Sequence, residues 1–290
     1  MLRRVTKPLL ITLLAIVVLW IGGSFLAERL ALHPRRWSIG PTPAAQGWVY
    51  QDVSFQSSDG ITLKGWWIPG TNHETIVMVH GWTSSRQEPY DKSAYLHAAG
   101  YNLLVFDLRG HGLSGGTFTT LGLKEPLDVE AAVAFAKSED PGPVALFGYS
   151  MGAATAVETA ARDPQVAVVI EDSGYGSLAD VIAAGFQHNV HLPELPFGLP
   201  LLALGQQDVG FKIAAVEPVT DASTLTKPLL AIVGTADTTV PPQEGYNLFA
   251  AAKGVKQLLV VPGAGHTKAY YKDNSLYEQT VLAFLKTSLR

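Results

Sequence analysis

The sequence predicts an α/β fold, a mostly parallel sheet with helices on both faces, and three observations carry that expectation. Apolar, β-rich runs alternate with helix-length segments along most of the chain, the pattern that parallel strands with helical crossovers require. Val144-Ala145-Leu146-Phe147 runs straight into Gly148-Tyr149-Ser150-Met151-Gly152 and then an alanine-rich stretch from Ala153, which reads as strand, sharp turn and helix. The polar, glycine-rich strings of the chain fall where strands end, the edge at which open parallel sheets bind ligands.

Composition narrows the function before any motif is weighed. The chain has 290 residues, 47% hydrophobic and 16% charged, enough apolar material for one large domain or two small ones. A formal net charge of −4 without a long basic run gives no reason to expect nucleic acid, whose phosphates are bound by clustered Lys and Arg. There is no cysteine, which excludes disulfides, thiolate metal sites and a cysteine nucleophile and fits an oxidising compartment.

At the N-terminus Arg3, Arg4 and Lys7 precede an uncharged stretch from Pro8 to Ala27. Twenty helical residues at about 1.5 Å each match the hydrocarbon thickness of a bilayer. The reading taken is a signal anchor: residues 1–7 cytoplasmic, a transmembrane helix over 8–28, and the remainder extracytoplasmic by the positive-inside rule. A cleaved signal peptide with its apolar core at Leu9 to Ile21 is the alternative, although no clean A-x-A site follows. A buried core helix is the weakest reading, since nothing polar breaks the circumference. Pro34, Gly40, Pro41 and Pro43 interrupt the next stretch, so residues 29–46 read as a linker and 47–290 as a single domain.

Within that domain Val49 to Gln56 and Ile61 to Ile68 flank Ser57-Ser58-Asp59-Gly60 and read as an antiparallel hairpin. Strand Thr75 to Val79 ends in His80-Gly81-Trp82, a helix is expected from about Tyr90 to Ala99 with Gly100 as its C-cap, and strand Asn102 to Phe106 follows. A helix near Glu125 to Lys137 precedes the Val144 strand, Met151 to Ala161 forms the helix after Ser150, and strand Val166 to Ile170 runs into Glu171-Asp172-Ser173. Strands Pro228 to Val233 and Lys256 to Val261 end in loops carrying Asp237 and His266.

The string Asp107-Leu108-Arg109-Gly110-His111-Gly112-Leu113-Ser114, taken with His80-Gly81 and Gly148-Tyr149-Ser150-Met151-Gly152, resembles the serine-nucleophile members of the α/β-hydrolase superfamily, esterase- and lipase-like enzymes with membrane-anchored bacterial relatives among them. The resemblance spans roughly Val49 to Leu289. It implies a mostly parallel eight-stranded sheet, and a small cap inserted at about residues 173–223 after the sixth strand. It also implies the order Ser, acid, His, here Ser150, Asp237 and His266, with Glu171 or Asp172 as reserve acid. The backbone N–H groups of Trp82 and Met151 are the expected oxyanion donors, and His80, Asp107 and His111 are expected to brace loops rather than react.

In the cap, Phe186, Phe197 and the leucines line an acyl pocket or simply pack the cap onto the core. His188 and His191 have metal-compatible spacing, but without a third ligand they are not read as a metal site.

The function these readings imply is hydrolysis of a small-molecule or lipid acyl ester through an acyl-enzyme, with no metal or organic cofactor and with the membrane as partner through the N-terminal helix. A serine peptidase or amidase of the same fold, and an idle binding protein on a hydrolase scaffold, are the alternatives.

Overall fold

The computed structural model describes residues 2–190, 198, 203–207, 210 and 212–289. Eight strands form one sheet: β1 (Gln51–Gln56), β2 (Thr62–Ile68), β3 (Thr75–Val79), β4 (Asn102–Asp107), β5 (Val144–Tyr149), β6 (Val166–Asp172), β7 (Leu229–Gly234) and β8 (Lys256–Val261). Their spatial order is β1-β2-β4-β3-β5-β6-β7-β8. The first two pairings are antiparallel and all the others parallel, which is the mostly parallel sheet expected.

Among the described residues the helices include α1 (Leu2–Leu32), α2 (Gln87–Asp91), α3 (Ala94–Ala98), α4 (Glu125–Glu139), α5 (Met151–Arg162), α6 (Leu178–Gly185), α7 (Pro218–Ala222), α8 (Pro242–Ala251), α9 (Ala269–Lys272) and α10 (Asn274–Ser288). Because side chains alternate across a strand, β3 sends Val77 and Val79 to one face and Ile76 and Met78 to the other. The first face packs under Val129 and Val133 of α4, Ala154 and Val157 of α5 and Leu248 of α8. The second packs under Tyr90, Leu96 and, from α10, Tyr277, Val281 and Phe284. Burial on both faces is why the central strands are continuous apolar runs rather than alternating ones.

β3 has β4 on one side and β5 on the other. The crossovers therefore diverge at the carboxyl ends of β3 and β5, which opens a crevice there. His80-Gly81-Trp82 follows β3 and Ser150 follows β5, so both strings sit on that crevice.

Two differences from the sequence reading have physical reasons. The single helix expected over Tyr90 to Ala99 is two short ones, α2 and α3, parted where the Ser93 hydroxyl donates to the Tyr90 carbonyl and Lys92 turns inward. The second difference is at the N-terminus, where α1 runs on to Leu32 and the stretch read as a linker is laid against the domain. The Arg36 guanidinium donates to the carbonyls of Gly112, Ser114 and Gly116, Thr119 N–H donates to Leu32 O at 2.8 Å, and Pro34 and Pro43 are buried. The stretch Leu9–Leu32 is long and apolar enough to cross a membrane, as a signal sequence near an N-terminus also is. Arg29 lies near the end of that stretch and Arg35 and Arg36 follow it, against Arg3, Arg4 and Lys7 before it, so the charge rule does not orient it.

Glu158 of α5 is buried, and removal from water, with Asp221 nearby, pushes its carboxyl up to about 8 from the usual 4.5. Between those two pH values the folded chain holds a proton that the unfolded chain lacks, so stability falls as pH rises through that window, by at most ~1.4 kcal/mol per pH unit. Glu158→Gln should therefore gain stability over the parent progressively from about pH 4.5 to pH 8, as read by urea midpoints at a series of pH values. A constant difference across the window would contradict this.

Candidate active site

Ser150 occupies the junction of β5 and α5 at φ 55°, ψ −120°, a conformation that costs an ordinary residue about 1–3 kcal/mol. Its backbone N–H is held by Asp172 O at 2.9 Å, and its carbonyl starts α5 by accepting from Ala153 and Ala154. The two flanking glycines are required by close approach. A Cβ at Gly148 would sit 2.1 Å from Gly152 O, and one at Gly152 would sit 2.4 Å from Val79 O and 2.5 Å from His80 O. The helix thus folds back directly over β3 and leaves the serine hydroxyl facing the crevice.

His266 reaches that hydroxyl from the loop after β8. Its Nε2 lies 2.8 Å from Ser150 Oγ, and its Nδ1 lies 2.7 Å from Asp237 Oδ2. Asp237 is nearly buried, and its other oxygen accepts the N–H groups of Thr239 and Val240, each at 2.9 Å. Ala236 N–H bonds to Ala264 O at 2.9 Å and Gly263 N–H to Thr235 Oγ1 at 2.9 Å, so the loops after β7 and β8 are stitched together with their functional groups adjacent. The carboxylate thereby fixes the proton on Nδ1 and leaves Nε2 free to accept from the serine.

Trp82 borders the same two hollows as Ser150, and Met151 follows the serine in the chain and borders one of them. The N–H of Met151 opens α5, where no earlier helical carbonyl exists to take it, and Gly81 approaches so closely that a Cβ there would be 3.1 Å from Ser150 Cβ. His80, at the end of β3, accepts Leu108 N–H on Nε2 at 3.0 Å, so its Nδ1 must carry the proton donated to Gly81 O at 2.7 Å. Burial lowers the basicity of this imidazole, consistent with a neutral ring spanning two loops. Asp107 accepts from the Arg86 guanidinium and backbone and from Leu113 N–H, which ties the loop after β3 to the loop after β4. The His111 ring packs edge-on against His80 at 5.0 Å, and burial takes it down to about 4.

Several residues at the site carry no signal in the sequence. Lys92 is buried, bonds Glu88 at 3.2 Å and Thr267 O at 3.3 Å, and lies 4.1 Å from the centre of the Tyr149 ring; Glu88 in turn accepts Gly81 N–H. The pair links the loop after β3 to the histidine loop. Asp172 accepts from Tyr277 at 2.8 Å and Ser173 at 2.9 Å, and Ser173 Oγ accepts Thr267 N–H at 3.1 Å. The reserve acids are therefore placed elsewhere: Asp172 supports the backbone next to His266, and Glu171 accepts Gly174 N–H, while Asp237 is the carboxylate bonded to the imidazole.

Two hollows meet at Ser150. One, of about 280 Å³, is apolar, with Leu121, Met151, Tyr175, Leu178 and Val240 in its wall. The other, of about 410 Å³, is polar and has Ser84, Glu88, Lys92, Thr267 and Lys268 around it. Trp82 borders both. In the segment expected as a cap, His188 bonds back to Ala184 O, whereas His191 and Phe197 lie outside the described residues. No group of three or more potential ligands gathers at a metal-binding distance among the described residues.

The sequence model of the alpha/beta hydrolase family matches residues 76–275. The chain is 33% identical over 266 residues to the uncharacterized protein Rv2307c of Mycobacterium tuberculosis, 89% of this chain and 86% of that one. It is 28% identical over 279 residues to the uncharacterized protein YfhR of Escherichia coli K12, 91% and 90% of the two chains. Among solved structures, the Pyrococcus furiosus esterase Pf2001 superposes with a TM-score of 0.74 at 30% identity, covering 90% of this chain and 99% of its own.

Gly152→Ala should lower the thermal midpoint by about 3–10 °C, since overpacking costs ~1–3 kcal/mol and the methyl meets backbone that cannot yield. An unchanged midpoint by calorimetry would show that α5 does not press on β3 as described.

Proposed function

The chain belongs to the alpha/beta hydrolase family, and from that premise we propose that it cleaves carboxylic esters through Ser150, His266 and Asp237. The observation that carries this reading is the unbroken line of hydrogen bonds from Ser150 Oγ through His266 to Asp237, ending on a serine held in a left-handed conformation at the crevice. Similarity to an esterase over 90% of the chain supports ester over amide as the bond cleaved.

In this mechanism Ser150 Oγ attacks the acyl carbon while its proton passes to His266 Nε2. The carbonyl oxygen becomes an oxyanion, and the N–H groups of Trp82 and Met151 donate to it. The tetrahedral centre collapses, and the alcohol leaves with the proton from His266. Water then attacks the acyl-serine as His266 takes its proton, and the acid departs as that proton returns to Ser150. The sum is ester plus water giving acid plus alcohol. Asp237 keeps Nδ1 protonated and stabilises the imidazolium at each stage. The helix α1 serves in this reading as a retained membrane anchor, with its last turns packed on the domain. Intact-mass measurement of the protein from cells should give the full chain in the membrane fraction; a released chain lacking the apolar stretch would make that stretch a cleaved signal.

A fluorophosphonate probe should label the parent and not Ser150→Ala, and Asp237→Asn should lose about 10⁴-fold in kcat because the histidine tautomer is no longer fixed. p-Nitrophenyl esters should be hydrolysed and aminoacyl anilides left intact; hydrolysis of anilides alone would favour a peptidase or amidase. A parent that neither reacts with the probe nor turns over any ester would make the fold a binding scaffold.

A further inference from the structure

The apolar hollow beside Ser150 has a wall from outside the domain. Glu28, Ala31 and Leu32 of α1 line it opposite Leu178, Val181 and Ile182 of α6. Ser24, Glu28 and Leu32 are buried at a spacing of four, which puts them on one face of α1 and turns that face to the domain. Two bonds fasten the helix end there. Trp82 Nε1 donates to Ala31 O at 2.9 Å, and Thr119 N–H donates to Leu32 O. The residue whose backbone faces the reacting oxygen in the proposed mechanism is thus braced by its side chain against the same helix.

Upstream of Ser24 the helix is different. Leu9, Leu10, Leu13, Leu14, Val18 and Leu19 are all exposed, an apolar circumference of the kind a bilayer covers. From Ser24 to Ala31 is about 10 Å along the axis at ~1.5 Å per residue, so the lipid-compatible part of α1 ends within two turns of the hollow. The hollow itself, at about 280 Å³, has room for one chain. On the far side of Trp82 lies the polar pocket with Lys92 and Lys268. A ligand filling both would be apolar at its acyl end and hydrophilic at its alcohol end.

Resting on the ester-hydrolase reading above, we propose that the end of α1 is a specificity-determining wall of the acyl site, and that the substrate is a single-chain amphiphilic ester residing in the bilayer that α1 enters. Its acyl chain packs on Ala31 and Leu32, and its polar alcohol occupies the hydrophilic pocket. The anchor then has two tasks, to hold the domain at the lipid surface and to gauge the acyl chain.

The full-length protein in phosphatidylcholine vesicles tests this with p-nitrophenyl esters from acetyl to dodecanoyl. In the parent, kcat/KM should rise about fourfold for each methylene that enters the hollow. Ala31→Phe, which fills the hollow, should cut the ratio of dodecanoyl to acetyl activity at least tenfold, and Leu32→Ala should move the optimum to longer chains. Leu30→Phe, on the exposed side of α1, should leave ratio and rate as in the parent. Fluorophosphonate labelling of each variant at the parental level shows that the serine site has folded. With labelling intact, an unchanged chain-length profile in both Ala31→Phe and Leu32→Ala overturns the wall. A fluorogenic palmitoyl ester should be hydrolysed at least tenfold faster when it shares the vesicle with the enzyme than when it is supplied in separate vesicles, and equal rates overturn the bilayer source. A parent inert to the probe and to all the esters overturns the hydrolase reading instead.

Discussion

One residue held in an unfavourable backbone conformation organises this molecule. Ser150 sits at φ 55°, and it can do so only because Gly148 and Gly152 let α5 fold back within contact of β3 and β5. Two apolar layers, one on each face of the sheet, fix both strands and the helix, so the chain cannot relax at the turn without moving core residues. A cost of about 1–3 kcal/mol at the turn is small beside burial worth ~1.5–3 kcal/mol for each large apolar side chain. The strain therefore persists, and with it the outward hydroxyl and the free N–H at the start of α5.

Around that turn the loops are positioned by buried polar pairs rather than by apolar contact. Asp107 with Arg86, Glu88 with Lys92, and the chain Tyr277, Asp172, Ser173, Thr267 each join loops from different strands. Such pairs add little net stability, because desolvation offsets most of their attraction. What they add is direction: each has one arrangement that satisfies its donors and acceptors, and that arrangement puts His266 against Ser150. His80, neutral and bonded on both ring nitrogens, does the same between the β3 and β4 loops.

The N-terminal helix joins a lipid-compatible element to this polar architecture without a free tether. Arg36 is bound by three carbonyls of the loop after β4, and Arg35 stacks over Trp37 at 4.7 Å. Prolines that break a helix in sequence do not make a flexible linker when the extended chain they produce finds carbonyls and apolar surface to bind. Sequence punctuation reports where a helix must stop and says nothing of what the next residues lie against.

Strand positions, their parallel order and the placement of Ser150, Asp237 and His266 at strand ends were legible in the primary sequence, because each depends on local signals: apolar runs, turn residues and glycines at fixed offsets. The inward Lys92 that helps part Tyr90 to Ala99 into two helices, the supporting part of Asp172 and the docking of residues 29–46 were not. Each depends on a partner more than twenty residues away, Thr267 for Lys92, Tyr277 for Asp172 and Gly112 for Arg36. Sequence alone determined which segments become strands and which groups stand at their ends, since those follow from local periodicity and backbone sterics. Only the tertiary structure decided which carboxylate meets the imidazole and what forms the wall of the apolar hollow, since both are set by how separate elements pack.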